Sequence, residues 1–208
     1  MNAAARSITR SRDVTEAWWL GRARTAAANA AWLASMLASW EHGLGAMPDG
    51  LGLEPDEFRA LIDANFRFPT RPFCPPRWTT ADFSGMPEKD DLETFLMAHA
   101  APGDRRERAW MARILVAGCL GRDHLWQDLG LGSRGDLTAL ITHNFPDIRR
   151  MNQHNMRWKK FLYKQLCEAE GIYVCRAPSC GECVDYADCF PSALLLTVAG
   201  NPTELDEI

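Results

Sequence analysis

The apolar residues of this chain recur mainly at the three- and four-residue spacing of an α-helix, and they rarely alternate as they do in a β-strand. Alanine, leucine, methionine, tryptophan and arginine dominate long stretches, whereas valine and isoleucine are sparse. This composition favours helices over strands. The pattern therefore predicts an all-α protein.

The predicted helices are 14–42, 55–65, 90–100, 105–118, 134–143 and 147–169. The core candidates of the first helix are Trp18, Trp32, Met36, Leu37 and Trp40. The last is long, basic and amphipathic, and its apolar positions are Ile148, Met151, Trp158, Phe161, Leu162 and Leu166. Gly171 is a stop signal beyond it. Five prolines in 66–87 predict a loop or linker there.

An internal repeat is visible in the pattern. "AWLASMLASW" at Ala31 matches "AWMARILVAG" at Ala109, and the "LGL" tripeptides at Leu51 and Leu129 share the same offset of 78. With one inserted residue, "ALIDANF" then matches "ALITHNF". We interpret 31–69 and 109–146 as two copies of a helix–loop–helix unit, the alternative being chance similarity between amphipathic helices. Features found in both copies predict packing, and features found in one copy are candidates for function.

Charge and length limit the class of protein. The formal net charge is −4, which argues against bulk binding to nucleic acid because that function requires a basic surface. No run of 18 apolar residues is present, so no transmembrane helix is expected. We predict a flexible tail over 1–13, a single all-α domain over 14–191 and a C-terminal tail over 192–208.

Four of the seven cysteines lie in the segment "CRAPSCGECVDYADC", with the spacing C-x4-C-x2-C-x5-C: Cys175, Cys180, Cys183 and Cys189. The odd number of cysteines and the lack of a secretory signal favour a reduced compartment, in which crowded thiols usually bind metal. Thiolates suit zinc, Cu(I) or iron–sulfur clusters. The spacings of the first three cysteines, C-x4-C-x2-C, match the plant-type ferredoxin loop, so the spacing favours an iron–sulfur cluster over zinc or no metal.

Three further cysteines are interpreted differently. Cys167, eight residues before Cys175, is an extra ligand or a resolving thiol in one reading and a small buried apolar residue in the other, which we prefer. Cys74 and Cys119 receive no role.

The predicted helix before the cysteine loop carries basic residues and no acidic residue from Ile148 to Cys167. They are Arg149, Arg150, Arg157, Lys159, Lys160 and Lys164. A solvated face is the default interpretation of such a run. A basic surface would also stabilise an anionic cluster, or attract an oxyanion such as molybdate or an acidic partner.

The second repeat carries "DHLWQD" where the first has "GAMPDG", so His124 and Trp126 are not shared between the copies. The functional interpretation of His124 is a ligand role, and the structural alternative is a helix cap or loop residue. The sequence alone does not decide between them.

Together, "HLWQDLGL", "NFP", "MRWKKFLYKQLC" and "CRAPSCGECVDYADCF" resemble the NifQ family of bacterial nitrogen-fixation proteins, over roughly residues 105–191. The resemblance implies a non-enzymatic, cytoplasmic carrier that holds a molybdenum–iron–sulfur cluster and donates molybdenum to iron–molybdenum cofactor synthesis. It implies Cys175, Cys180, Cys183 and Cys189 as cluster ligands, and we add the hypothesis that His124 contacts the molybdenum site.

The implied partners are the cofactor-assembly scaffold proteins, the nitrogenase iron protein and molybdate or another molybdenum source, without nucleic acid or membrane. One alternative is a DNA glycosylase of the endonuclease III type, which is all-helical and carries a similar C-terminal iron–sulfur loop. Its glycine-rich helix–hairpin–helix motif is not found here, and the acidic net charge disfavours it. A second alternative is a zinc-stapled interaction module.

Overall fold

The computed structural model describes residues 3–67 and 78–169, with side chains from residue 10 onward. Their regular structure is helical, apart from one isolated antiparallel β-bridge between Ala23 and Phe66. The helices are α1 (Ala3–Leu20), α2 (Ala30–Glu41), α3 (Pro55–Asn65), α4 (Lys89–Ala98), α5 (Arg105–Gly118), α6 (Leu125–Asp128), α7 (Arg134–Asn144), α8 (Pro146–Met151) and α9 (Trp158–Ala169). None of these helices is both long and apolar enough to cross a membrane. The chain divides into two compact units, Met1–Gln153 and His154–Ile208.

Local sequence explains where several helices begin. The Asp104 side chain accepts a hydrogen bond from the Arg106 amide at 2.8 Å and caps α5, and Ser133 accepts one from the Asp136 amide at 3.1 Å and caps α7. Proline occupies the first position of α3 and α8, where its missing N–H costs nothing. The predicted bounds 55–65 and 105–118 are confirmed.

The single helix predicted over 14–42 is wrong, because the chain breaks between Leu20 and Ala30 to form α1 and α2. The break begins at Gly21, a poor helix former. The Arg24 amide then donates to the Asn65 carbonyl at 2.9 Å, which fixes the linker against the end of α3. The turn buries Trp19 to 1% exposure, whereas the predicted core residue Trp18 is 43% exposed.

Helix α1 begins before Val14, where the sequence predicts a domain boundary, and the domain assignment itself stays a prediction. Residues 3–13 form the first part of α1. Arg12 donates hydrogen bonds to the hydroxyls of Ser35 at 2.5 Å and Ser39 at 3.0 Å on α2. These contacts attach the end of the predicted tail to the helical core.

The long basic helix predicted over 147–169 is also wrong as a single element. α8 ends at Met151 and α9 begins at Trp158. The intervening residues include Asn155, which has a positive φ of 53° that does not continue a right-handed helix. The tail 192–208 lies outside the described residues.

The core of the first unit consists of side chains from two sets of three helices. The first half of the unit contains α1, α2 and α3, and the second half contains α4, α5 and α7. Leu33, Met36 and Leu37 of α2 are fully buried, as are Phe58 and Leu61 of α3. Helices α5 and α7 of the second half bury Met111, Ile114, Leu115 and Leu140, and Phe145, directly after α7, is also buried. Of the predicted α2 core, Met36 and Leu37 are confirmed, while Trp32 and Trp40 are only half-buried.

The two predicted repeats contain the same order of elements: a long helix, a short turn or helix, and a second helix. The first turn, Asp49–Gly52, corresponds to α6 and its C-terminal residues. Gly52 and Gly130, 78 positions apart, both have positive φ angles, 83° and 74°. A Cβ on Gly52 would overlap Ala117, and one on Gly130 would overlap Ser39, which is the residue equivalent to Ala117. This reciprocity is what a duplication requires, and the duplication itself stays a prediction.

Candidate functional site

The four cysteines of the predicted metal centre, Cys175, Cys180, Cys183 and Cys189, lie outside the described residues. Cys74 and the predicted stop residue Gly171 also lie outside them. Within the described ranges, no group of three or more His, Cys, Asp and Glu side chains is arranged to hold a metal ion. The assignment of the four thiolates therefore remains a prediction from the sequence.

The helix that precedes the cysteine loop in sequence is α9, and it belongs to the second unit. It buries Trp158, Phe161, Leu162, Tyr163, Leu166 and Cys167. The rings of Trp158 and Phe161 meet edge-to-face with centroids 5.9 Å apart. On the same helix, Lys164 forms an ion pair of 3.4 Å with Glu168, one turn later. The helix thus has a buried apolar face, and it ends at Ala169, six residues before Cys175.

Cys167 is 5% exposed and lies on the buried face of α9. Its burial agrees with the preferred interpretation of a small apolar residue. Cys119, directly after α5, is likewise 5% exposed.

His124 occupies the N-cap position of α6, and its side chain is exposed. Its backbone N–H donates to the Gln127 side chain at 3.3 Å, and its carbonyl accepts from the Gln127 amide at 2.8 Å. The backbone of His124 therefore starts a helix, as the structural alternative requires. Among the described residues, His124 belongs to no group of three or more His, Cys, Asp and Glu side chains that could hold a metal ion.

A buried polar network that the sequence did not reveal connects the two halves of the first unit. Asn29 and Asn144 are both fully buried, and their side-chain amides exchange hydrogen bonds of 3.1 and 2.8 Å. Asn29 also donates to Glu107 at 2.9 Å, and Arg108 donates to the Asn144 oxygen. The only sequence signal was the "NF" pair in both repeats, at Asn65 and Asn144.

His143 borders this network at the end of α7, with its ring 5.8 Å from that of Trp32. Partial burial lowers the pKa of His143 from its ordinary 6.5, and the positive charge of Arg108 lowers it further against a smaller opposing effect of Glu107. The imidazole therefore favours its neutral form.

A cleft of about 460 Å³ lies between α3, α4 and α5, which we call the interhelical cleft. Its charged lining is Glu54, Glu57, Lys89, Glu93 and Arg113. Arg113 bonds to Glu57 and lies 3.6 Å from Glu93, and Lys89 pairs with Glu93 at 2.9 Å. The hydrogen bond that Lys89 donates to Glu93 raises the pKa of Lys89 above its ordinary 10.5, so this lysine is charged at neutral pH. The cleft is thus a polar site with fixed charges.

The described residues define an all-helical protein in which two similar halves share one polar network. The sequence model of the NifQ family matches residues 32–191, well over half of the chain. The chain belongs to the NifQ family.

Curated relatives support this membership across most of their lengths. Protein NifQ of Azotobacter vinelandii is 42% identical over 172 residues, which cover 78% of this chain and 88% of the relative. Protein NifQ of Klebsiella pneumoniae is 36% identical over 166 residues, covering 76% and 96% respectively. The Protein NifQ homolog of Sinorhizobium fredii (strain NBRC 101917 / NGR234) is 36% identical over 160 residues, covering 77% and 69%. No solved structure gives a significant match to the chain.

Proposed function

We propose that this protein is a carrier that binds a molybdenum–iron–sulfur cluster and donates molybdenum to the synthesis of the nitrogenase iron–molybdenum cofactor. The observation that carries the proposal is the C-x4-C-x2-C-x5-C motif in a chain that belongs to the NifQ family. The family match extends to residue 191 and so includes all four cysteines. Membership in this family also supports the carrier over a DNA glycosylase or a zinc-stapled module.

The donor set fits this cargo. Thiolates are soft ligands, and four of them suit an iron–sulfur type cluster. Ala177, Pro178, Ser179 and Gly181, which lie between the cysteines, are small or turn-forming residues. Cys175, Cys180, Cys183 and Cys189 would hold the cluster, and the cluster would supply the molybdenum that is transferred.

The character of α9 gives further support. It carries Lys159, Lys160 and Lys164, and its only acidic residue, Glu168, comes in the last turn. Positive charge close in sequence to an anionic cluster favours that cluster and attracts acidic partner surfaces or molybdate.

The partners follow from the same proposal. We expect delivery to the cofactor-assembly scaffold proteins, with the nitrogenase iron protein as a further partner, and molybdate or another molybdenum compound as the source. The protein acts in the cytoplasm as a carrier rather than an enzyme, without nucleic acid or membrane.

The test is elemental analysis of the full-length chain purified without oxygen, with wild type beside Cys183→Ala. Cys119→Ala is the matched control, because it removes a buried thiol of the first unit that has no role in the proposed centre. We expect iron and molybdenum in the wild type and the control, and strongly reduced amounts of both in Cys183→Ala. Zinc alone in the wild type would refute the proposal and favour an interaction module.

His124 is tested in the same experiment. If it contacts the molybdenum site, His124→Ala retains iron and loses molybdenum, whereas Gln127→Ala, which removes the acceptor at the same helix start, retains both. Full molybdenum loading and transfer by His124→Ala would refute the hypothesis that His124 contacts the molybdenum site. His124 would then have only a structural role at the start of α6.

A further inference from the structure

The tripeptide Leu-Gly-Leu occurs at equivalent positions of the two predicted repeats, and its backbone conformation differs between them. Leu51 has a φ of 58° and a ψ of 27°, in the left-handed region, whereas Leu129 has a φ of −70° and a ψ of −14°, in the right-handed helical region. The glycine that follows has a positive φ in both copies. The same three residues therefore adopt two backbone conformations in one chain.

The left-handed conformation of Leu51 is unfavourable in itself, because it brings the Cβ atom close to the following carbonyl oxygen. The preceding residue, Gly50, is also left-handed, with a φ of 59°. Burial of the Leu51 side chain does not explain the choice, because Leu129 buries the same side chain completely from the right-handed form. Contacts from outside the turn must therefore offset the cost at Leu51.

The contacts that distinguish the first turn, Asp49–Gly52, come from Trp78 and Thr79, which precede α4. The ring of Trp78 lies directly on Gly50, where a Cβ would overlap two of its carbon atoms. The same ring packs against Phe58 with centroids 5.5 Å apart. The Thr79 amide donates to the Asp49 carboxylate at 2.8 Å. Together these contacts fasten the segment before α4 onto the turn.

The second copy has no room for the same ring contact. Asp128 occupies the position equivalent to Gly50, and its buried side chain lies against Gly121. The tripeptide there forms the end of α6, where the Leu131 amide donates to the Trp126 carbonyl at 2.9 Å. The left-handed form thus occurs where an indole ring lies on the turn, and the right-handed form occurs where a helix ends.

The seat of Trp78 is only partly favourable. Its indole N–H is buried without an acceptor among the described residues, although the side chain as a whole is half-buried. A buried donor without an acceptor is unfavourable, and it regains a hydrogen bond from water when it becomes exposed. Two costs, the unpaired N–H and the left-handed Leu51, therefore disappear together when the ring leaves its seat.

We propose that Trp78 and Thr79 form a conformational latch on the Asp49–Gly52 turn. The latch is closed in the structure and holds the turn left-handed, and when Trp78 leaves, Leu51 turns to the right-handed form that Leu129 has. Gly52 and Thr80 lie on the two segments that the latch joins, and both line the interhelical cleft, so opening changes the shape of the cleft. All these residues belong to the first unit, so the latch does not depend on the proposed metal centre.

The first test is NMR spectroscopy of the full-length chain with isotope-labelled leucine and tryptophan. The distance between the amide proton and Hα of one residue is short when φ is positive, so Leu51 should give a strong intraresidue NOE and Leu129 a weak one in the same spectrum. In Trp78→Ala we expect the Leu51 NOE to fall to the level of Leu129. Trp18→Ala, which removes an exposed tryptophan of α1, should leave both NOEs unchanged. A strong Leu51 NOE in Trp78→Ala would overturn the proposal, because the turn would then be left-handed without the latch.

The second test is hydrogen exchange of the Trp78 indole N–H, which leaves the ring in place and so does not depend on the folding of Trp78→Ala. Asp49→Ala removes the acceptor of Thr79 and should speed this exchange about two- to tenfold, the range of one hydrogen bond. Asp82→Ala is the matched control, because it removes the acceptor of the Ser84 amide within the same segment and should leave the rate unchanged. Equal rates in the wild type and Asp49→Ala, or equal acceleration by Asp82→Ala, would also overturn the proposal.

Discussion

The hydrogen-bonded pair of Asn29 and Asn144 makes a specific prediction about the stability of the first unit. The substitution Asn144→Ala removes the acceptor of Arg108, both bonds to Asn29 and a bond of 2.9 Å to the Leu140 carbonyl. Arg108 is only 9% exposed, and its Nε already has no partner among the described residues. The variant therefore leaves a buried charge and a buried amide poorly compensated.

The expected cost follows from these groups. Each buried polar group that loses its partner costs about 1–3 kcal/mol, and an uncompensated buried charge is at the upper end. Asn29 keeps its bond to Glu107, which limits the loss. We expect Asn144→Ala to lower the free energy of unfolding by about 3–5 kcal/mol.

Asn65→Ala is the matched control, because Asn65 ends α3 as Asn144 ends α7 and is 1% exposed. Its side chain donates only to the Leu61 carbonyl, at 3.0 Å, and its oxygen has no partner among the described residues. The same deletion of atoms should here cost about 1 kcal/mol. Asn144→Asp keeps an acceptor for Arg108 and should fall between the two.

The assay is urea unfolding of the metal-free full-length chain, monitored by far-UV circular dichroism and tryptophan fluorescence. Removing metal beforehand keeps unfolding from being coupled to cluster loss, and equal slopes between variants would show that only stability has changed. Equal losses of unfolding free energy in Asn144→Ala and Asn65→Ala would refute the reasoning. The cost would then come from the loss of an asparagine at the end of a helix and not from the buried hydrogen-bond network.

Two further predictions concern His143 and the paired glycines. Because the pKa of His143 is lowered on folding, the unfolded chain binds its proton more tightly, so stability should fall as the pH drops below 6.5. His143→Gln should flatten this decline in urea midpoints measured across that range, and an unchanged slope would contradict it. Gly52→Ala and Gly130→Ala each combine a positive φ with an overlap of the new methyl and should each cost about 2–4 kcal/mol. Gly43→Ala, with a φ of 64° and no atom within 4 Å of the new Cβ, should cost about 1 kcal/mol in the same thermal or urea assay.

Local sequence predicted the helices well where it contains strong start signals. α5 begins after the capping residue Asp104 and α3 begins at Pro55, and both predicted ranges agree with the structure. The prediction failed at 14–42 and 147–169, where the apolar periodicity continues across a break. Periodicity reports which face is apolar, and it persists when two consecutive helices both face a core.

The candidate functional residues, like the helices, were predictable from the sequence only in part. The four-cysteine motif and its likeness to the NifQ family were readable from residue types and spacing alone. The interhelical cleft was not, because Glu57, Lys89 and Arg113 come from three helices and have no mutual spacing that marks a site.

By itself, the sequence determined the helical class, the family and the thiolate motif, since each depends on residue types and on short-range spacing. Only the tertiary structure decided that Trp19 rather than Trp18 is buried, and that Asn29 pairs with Asn144 across 115 positions. The physical reason is that burial and hydrogen bonding depend on which surfaces meet in space. Adjacent residues of one helix point in different directions, and the direction that faces the core is set by the packing of distant helices.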